Sequence, residues 1–455
     1  MSLSKDDREF VRGLYRRVLD QPLEPDDPLY EPIHEQSNGD DPVAIMQRRI
    51  ELADVQTMQL FSGFSGSGKT TELFRLRRNL RRQGYVVLYA DALKYVDPFD
   101  PLPIGDMLMV AAGAFSDAIE EDLGIDLRAE SFWERLRGLV ERTEVRLSGG
   151  DAKLEYSSPG HGVLGGIKAG LNIKAELKTR SSFRRTLQDF LAAHLVQLQA
   201  DVAQFFEHGA KAIWAAKGSE DVQIVFMLDQ LEQLRGDYHN WQAVIRCVQQ
   251  LFTVHLDRLR MPYVHCIYSV PAWLAFLSRP QDMTLLPTVQ LWNKGADRAP
   301  YPHGRAMFRN LMRRRVSDAD CARLFGPDDA ATDPPVERLI VACGGQVRDL
   351  LRMMREALTR ANALPIDTGV VDRVISVARR DFLPIAVDDA RLLHDISVKQ
   401  NLEPDTLDEN AIERLSNFFN THLVMYFENG ESWYDTHPLI RDEVERILGD
   451  NRPVE

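Results

Sequence analysis

Cysteine is scarce and dispersed: Cys247, Cys266, Cys321 and Cys343 are the only four in 455 residues, and no two form a C-x-x-C pair. Neither a disulfide framework nor a zinc site follows from such spacing. Long apolar runs are missing too, none approaching the roughly 20 residues needed to cross a bilayer. The N-terminal MSLSKDDREF is charged and lacks the apolar segment of a secretion signal. A soluble, cytoplasmic protein with no membrane contact is expected. Basic charge is in deficit, with 55 Lys and Arg against 68 Asp and Glu and a formal net charge of -13. This balance disfavours bulk binding to nucleic acid and leaves that role only to a local basic patch. No internal repeat is present at a period of about 20–50 residues. What remains is a globular composition, 44% apolar, in a chain long enough for roughly two to four domains.

Residues 1–20 have the pattern of a charged amphipathic helix. Residues 21–43 follow with five prolines, many acids and an Asn-Gly pair, and predict an extended arm. Buried strands are predicted at 55–62, 85–93, 222–229 and 264–271, with a fifth at 285–292. Helices are predicted at 70–83, over most of 104–147, from about 183 to 215, near 240–258, and from Gly304 through about 380. Between them, 149–182 is glycine-rich and then alternates apolar and polar residues, a hairpin or mobile loop. Near the C-terminus, LVMYFENGESWYDT has the alternation of a hairpin turned at Asn429-Gly430.

The strongest chemical signal follows the first strand. Gly63-Phe64-Ser65-Gly66-Ser67-Gly68-Lys69-Thr70 fits G-x-x-x-x-G-K-[ST] at every fixed position, between an apolar strand and a helix. Glycines let the backbone curl so that successive N–H groups point at phosphate oxygens, and the helix N-terminus adds partial positive charge. Gly63, Ser65, Gly66, Ser67, Gly68, Lys69, Thr70 and Thr71 are therefore the candidate nucleotide contacts. Lys69 is expected to reach the β and γ phosphates and the Thr70 hydroxyl to ligate Mg²⁺.

Such a loop needs a carboxylate opposite it. The run VQIVFMLD ends in Asp229, the candidate second metal residue. The next residue is Gln230, and the next acid is Glu232. Gln can orient water but cannot take its proton. Either Glu232 is the base, or hydrolysis is slow and the ATP-bound state long-lived. At the tip of the fourth strand, Ser269 is the candidate sensor of the γ phosphate. Further on, Gly344-Gly345 breaks one helix, and Arg348 opens the next, placed to reach across onto bound phosphate. Arg313-Arg314-Arg315 offers either a finger onto a neighbouring subunit's nucleotide or a solvated helix face.

These segments, FSGFSGSGKTTEL (61–73), FMLDQLEQL (226–234), GGQVRDLLR (344–352) and YFENGESWYDTHPLIRD (426–442), together resemble the AAA+/STAND group of P-loop ATPases. Within that group the likeness is to initiator-type proteins and to bacterial ATPases of conflict and antiphage systems, from about residue 25 to the end. The resemblance implies an α/β fold with an additional-strand parallel sheet, a helical lid and a C-terminal winged helix. It divides the chain into an N-terminal helix and arm (1–43), an ATPase core (44–300) with an insert at about 100–215, a lid (301–380) and a winged helix (381–455). It implies ATP with Mg²⁺ as ligands. Gln230 departs from the Glu usual at that position.

Two functions follow from the resemblance. One is an ATP-driven switch that assembles with itself or with an effector protein, in a bacterial defence or signalling setting. The other is a DNA-acting ATPase of initiator or loader type. The insert favours DNA: Lys168, Lys174, Lys178, Arg180, Arg184 and Arg185 against Glu176 give residues 168–185 a net charge of +5. The expected recognition helix near 408–419 carries more acid than base, which argues the other way. A kinase-like transferase would need an acceptor site, and the sequence offers none.

Overall fold

The computed structural model describes residues 3–35, 40–127, 193–237, 239–277, 280, 282–326, 334–402 and 409–450, without the side chains of 409–412 and 450. The basic insert at 168–185 lies outside the described residues, as do the glycine-rich stretch before it and the start of the helix expected from 183.

Five strands form one parallel sheet: β1 (Met58–Gly63), β2 (Val86–Asp91), β3 (Ile224–Asp229), β4 (Val264–Val270) and β5 (Met283–Leu286). Their order is β2-β3-β4-β1-β5. β4 is thus inserted between the strand that feeds the phosphate loop and the strand that ends in Asp229, with Phe61 level with Ser269 and Leu228 level with Tyr268. Every residue of β1, β3 and β4 is buried. Strands covered on both faces need mostly apolar residues at successive positions, and this is why they stood out as largely apolar runs.

Alternation assigns the two faces. Phe61, Val87, Val225, Met227 and Ile267 pack under helices Pro42–Glu51 and Lys69–Arg82. Leu60, Leu88, Phe226, Leu228 and Tyr268 face helices Ile104–Leu123, Leu195–Lys217 and Trp241–Phe252. Phe115, Phe206 and Phe226 stack at the centre of that layer, the first pair with ring centroids 4.1 Å apart.

The fifth strand differs from its expected position. It ends at Leu286, before Pro287, and the rest of the expected 285–292 segment is not strand. Proline has no N–H to continue a ladder. The chain turns away, and Thr288 N donates instead to Tyr426 O at 2.9 Å.

Beyond the sheet lie five helices, Pro302–Arg313, Asp318–Phe325, Pro335–Ala342, Val347–Arg360 and Thr368–Arg380. Their apolar stripes share a second core, to which the N-terminal helix Lys5–Arg17 contributes Val11 and Leu14. The last segment contains helices Val387–Lys399 and Glu409–Asn420, then an antiparallel hairpin of β6 (Val424–Glu428) and β7 (Ser432–Thr436), then helix Arg441–Asp450. The hairpin turns at Asn429-Gly430, as its alternation predicts, with Gly430 at φ 78°. Its two sides go to different cores: Phe427 and Trp433 to the five-helix unit, Tyr426 and Tyr434 to the sheet unit. Among the described residues no helix is long and apolar enough to cross a membrane.

Candidate functional site

The loop after β1 curls because two of its glycines take backbone angles that side-chain-bearing residues resist: φ is 83° at Gly66 and 103° at Gly68. Gly68 caps helix Lys69–Arg82, and the loop amides collect at that N-terminus. Lys69 is buried, and its ammonium donates to Gly63 O at 2.9 Å and Phe64 O at 3.0 Å and pairs with Glu232 Oε1 at 3.1 Å. Ser67 Oγ donates to Phe64 O at 2.8 Å.

The end of β3 faces this loop. Thr70 Oγ1 donates to Asp229 Oδ2 at 2.7 Å. Asp229 is fully buried, and burial, followed by the nearby Glu232 charge, pushes its carboxyl up to about 6 against the pull of the Thr70 hydrogen bond. Gln230 has φ 72°, a left-handed turn rare for a side-chain-bearing residue, and a short 3-10 turn, Leu231–Gln233, follows. This sharp turn carries Glu232 back toward the loop, while Gln230 Nε2 donates to Thr70 Oγ1 at 3.1 Å. Ser269 then fixes the acid: its Oγ donates to Glu232 Oε2 at 2.7 Å and accepts from Leu231 N at 3.1 Å. The structure thus sets two bonded groups side by side at the loop, Lys69–Glu232–Ser269 and Thr70–Asp229.

Arg348 arrives from the five-helix unit. Its backbone N donates to Gly66 O at 3.3 Å and its Nη1 to Ser65 Oγ at 2.6 Å. A Cβ on Gly66 would stand 2.7 Å from Arg348 Cβ, so glycine is required there by contact as well as by φ. The break that precedes this helix is equally constrained: a Cβ on Gly345 would lie 2.0 Å from Val289 O. Burial, then the neighbouring Arg352 charge, lowers the Arg348 pKa from the usual arginine value.

Several residues of the site went unforeseen. The arm, far from free, lies across the cleft. His34 Nε2 donates to Ser67 O at 3.0 Å, and Leu23 N donates to Thr71 Oγ1 at 3.4 Å. Of the three consecutive arginines, Arg313 and Arg314 are exposed ion-pair partners of Asp318 and Glu31, as a solvated face requires. Arg315 is instead buried within this chain, donating to Leu29 O at 2.9 Å and Leu311 O at 3.0 Å beside the cleft. Tyr89, on β2, donates to Asp229 Oδ2 at 3.0 Å. The C-terminal segment also reaches the loop: the Phe64 ring lies 5.6 Å from Phe419 and edge-on to His422. Only Tyr89 had a readable signal, since β2 next to β3 puts its C-terminal half beside Asp229. The arm's path has none.

The resulting cleft, about 820 Å³ including space open to solvent, is bounded by the loop, the arm and the five-helix unit. Its lining includes apolar Leu23, Ile33, Leu311 and Leu351 together with Lys69, Thr70 and Glu232. Oxygen donors from Thr70 and Asp229 are of the hard type that suits Mg²⁺. No cluster of three or more His, Cys, Asp or Glu residues able to hold a metal occurs among the described residues. A metal at Thr70 and Asp229 therefore depends on phosphate oxygens and water for the rest of its shell, a habit of Mg²⁺.

The sequence matches no protein-family model and no curated protein. Among solved structures it is similar to the Aeropyrum pernix ORC2 protein in two forms. The form described as ADPNP-ADP complexes has 12% identity and a TM-score of 0.38, covering 90% of this chain and 91% of that one. The ADP form has the same identity and score, covering 96% and 98%.

Proposed function

We propose that this chain binds ATP with Mg²⁺ and hydrolyses it slowly, as a switch that changes how the five-helix unit and the C-terminal segment sit on the sheet. One observation carries this reading: Lys69, Thr70, Glu232 and Arg348, from three separate segments, line a single cleft, and Thr70 is bonded to the buried Asp229 behind it. In this reading the loop amides and Lys69 hold the phosphates, and the base packs against the apolar side chains of the cleft, such as Leu23, Ile33 and Leu351. Thr70 and Asp229 would hold Mg²⁺, which would supply neutralisation of phosphate charge. Glu232, set by Ser269, takes the proton as the oxygen of a water attacks the γ phosphorus and the bond to the bridging oxygen breaks. Gln230 is turned toward Thr70 and has no part in that transfer. Arg348 joins the five-helix unit, acting as a lid, to the phosphates.

We read the last segment as a winged helix used for protein contact. Supporting this, Phe418 and Phe419 of helix Glu409–Asn420 are buried, and Phe419 stacks on Phe276 of the sheet unit at 4.4 Å. A helix with that face packed internally has less of itself to offer a DNA groove. The switch is proposed to act through its own copies or an effector protein, and the bacterial defence or signalling setting comes from the family resemblance alone.

The test is to follow ATP hydrolysis and particle size with and without duplex DNA, in wild type and in Lys69→Ala. ATP-dependent assembly indifferent to DNA, lost in Lys69→Ala, is expected. Hydrolysis strongly stimulated by DNA would favour the initiator reading instead. Normal ATP binding by Lys69→Ala would remove the site assignment altogether.

A further inference from the structure

Tyr89 belongs to none of the phosphate-binding motifs, yet it touches the buried carboxylate that backs Thr70 of the cleft. Its hydroxyl donates to Asp229 Oδ2 at 3.0 Å, the same oxygen that accepts from Thr70 at 2.7 Å. The other oxygen, Oδ1, accepts from Gln230 N at 2.8 Å. Three donors, from helix Lys69–Arg82, from β2 and from the backbone directly after Asp229, thus set the plane of one carboxylate. The Tyr89 ring is itself fixed. Phe74 meets it edge-to-face at 5.1 Å, and the Arg77 guanidinium lies 4.5 Å from the Phe74 ring and 5.6 Å from that of Tyr89. Arg77 is in turn paired with Glu24 of the arm.

We infer that Tyr89 is a positioning residue for Mg²⁺, orienting Asp229 so that the carboxylate's remaining lone pairs face the cleft. This rests on the proposed ATP–Mg²⁺ site. The phenol is a neutral donor on a stiff ring. It occupies one lone-pair direction of Oδ2 without competing for the metal, as the partners behind metal-binding groups do. Losing it frees the carboxylate to rotate about its last bond. Thr70 alone would then hold Oδ2, and Thr70 is itself needed at the metal.

The test uses the full chain and Tyr89→Phe, which keeps the ring and its packing and removes one oxygen. Binding of a fluorescent ATP analogue is titrated first without metal and then against Mg²⁺, and Mn²⁺ bound with ADP is followed by its electron-spin signal. Metal-free nucleotide affinity is expected to stay within about twofold. The half-saturating Mg²⁺ concentration should rise about tenfold, the scale seen when such supporting partners are removed. The rate at saturating Mg²⁺ should change far less, which a general loss of structure would not produce. Superimposable Mg²⁺ titrations and Mn²⁺ signals in the two proteins would overturn the role of Tyr89 while leaving the site reading intact. A wild-type chain whose nucleotide binding ignores Mg²⁺ would overturn that reading and this inference with it.

Discussion

Asp349, directly after Arg348, shows how close to its electrostatic limits this region is built. Its Oδ2 has no hydrogen-bond partner, and burial pushes its carboxyl up to about 6 from 3.8. Between these two values the folded chain holds a proton that the unfolded chain has released. Stability from this group therefore falls as pH rises through the window, and the cost is complete above about 6. Asp349→Asn removes that cost. Thermal melting of the variant should run about two degrees above wild type at pH 8, and the gap should close by about pH 3, below the window. A lower melting temperature at pH 8 would show that the carboxylate is held by a partner. The same kind of reasoning explains which site residues were legible. Lys69, Thr70, Asp229 and Arg348 sit at fixed offsets from a strand end or helix start, so local pattern places them. Whether Glu232 or Gln230 faces Lys69 depends on a single left-handed residue, and no local pattern announces that φ.

At the scale of elements, the arm is held by charge. Glu24 and Asp26 pair with Arg77 and Arg78 on helix Lys69–Arg82, while Asp20 reaches Arg352 and Arg355 on helix Val347–Arg360 at 3.0 and 2.6 Å. Most of these pairs are exposed on at least one side and worth little each. Arg75 is the exception: it is buried, forked onto Asp41 at 2.7 and 2.6 Å, and bonded to Glu72 at 2.7 Å. Arg75→Ala leaves two carboxylates without their cation, at a cost of about 3 kcal/mol or more. Faster proteolysis within residues 20–40 and weaker nucleotide binding are expected together. Unchanged cleavage there would mean that the outer pairs suffice. The strands were readable because they are buried on both faces. The arm's destination was not, because its acids match basic residues some 30 to 330 positions away, and charge carries no register. β5 was placed too late for a smaller reason, the proline that ends its ladder.

At the scale of the molecule, three bodies meet at the phosphate loop: Arg348 brings the five-helix unit, the arm brings His34, and the C-terminal segment brings Phe419 and His422. Phe64 is buried at that junction. Phe64→Ala should cost about 3 kcal/mol and loosen helix Glu409–Asn420, seen as faster amide hydrogen exchange over residues 413–420. Exchange there equal to wild type would show that Phe276 alone secures the helix. Phe64 has a further consequence. Its carbonyl accepts from Lys69 while its ring rests on Phe419. A phosphate that draws Lys69 away alters the restraint on a residue in contact with the last domain. Linkage makes any such coupling reciprocal. A partner that shifts the 409–420 helix would then change the affinity for nucleotide by the same factor, loading or unloading the site without entering it.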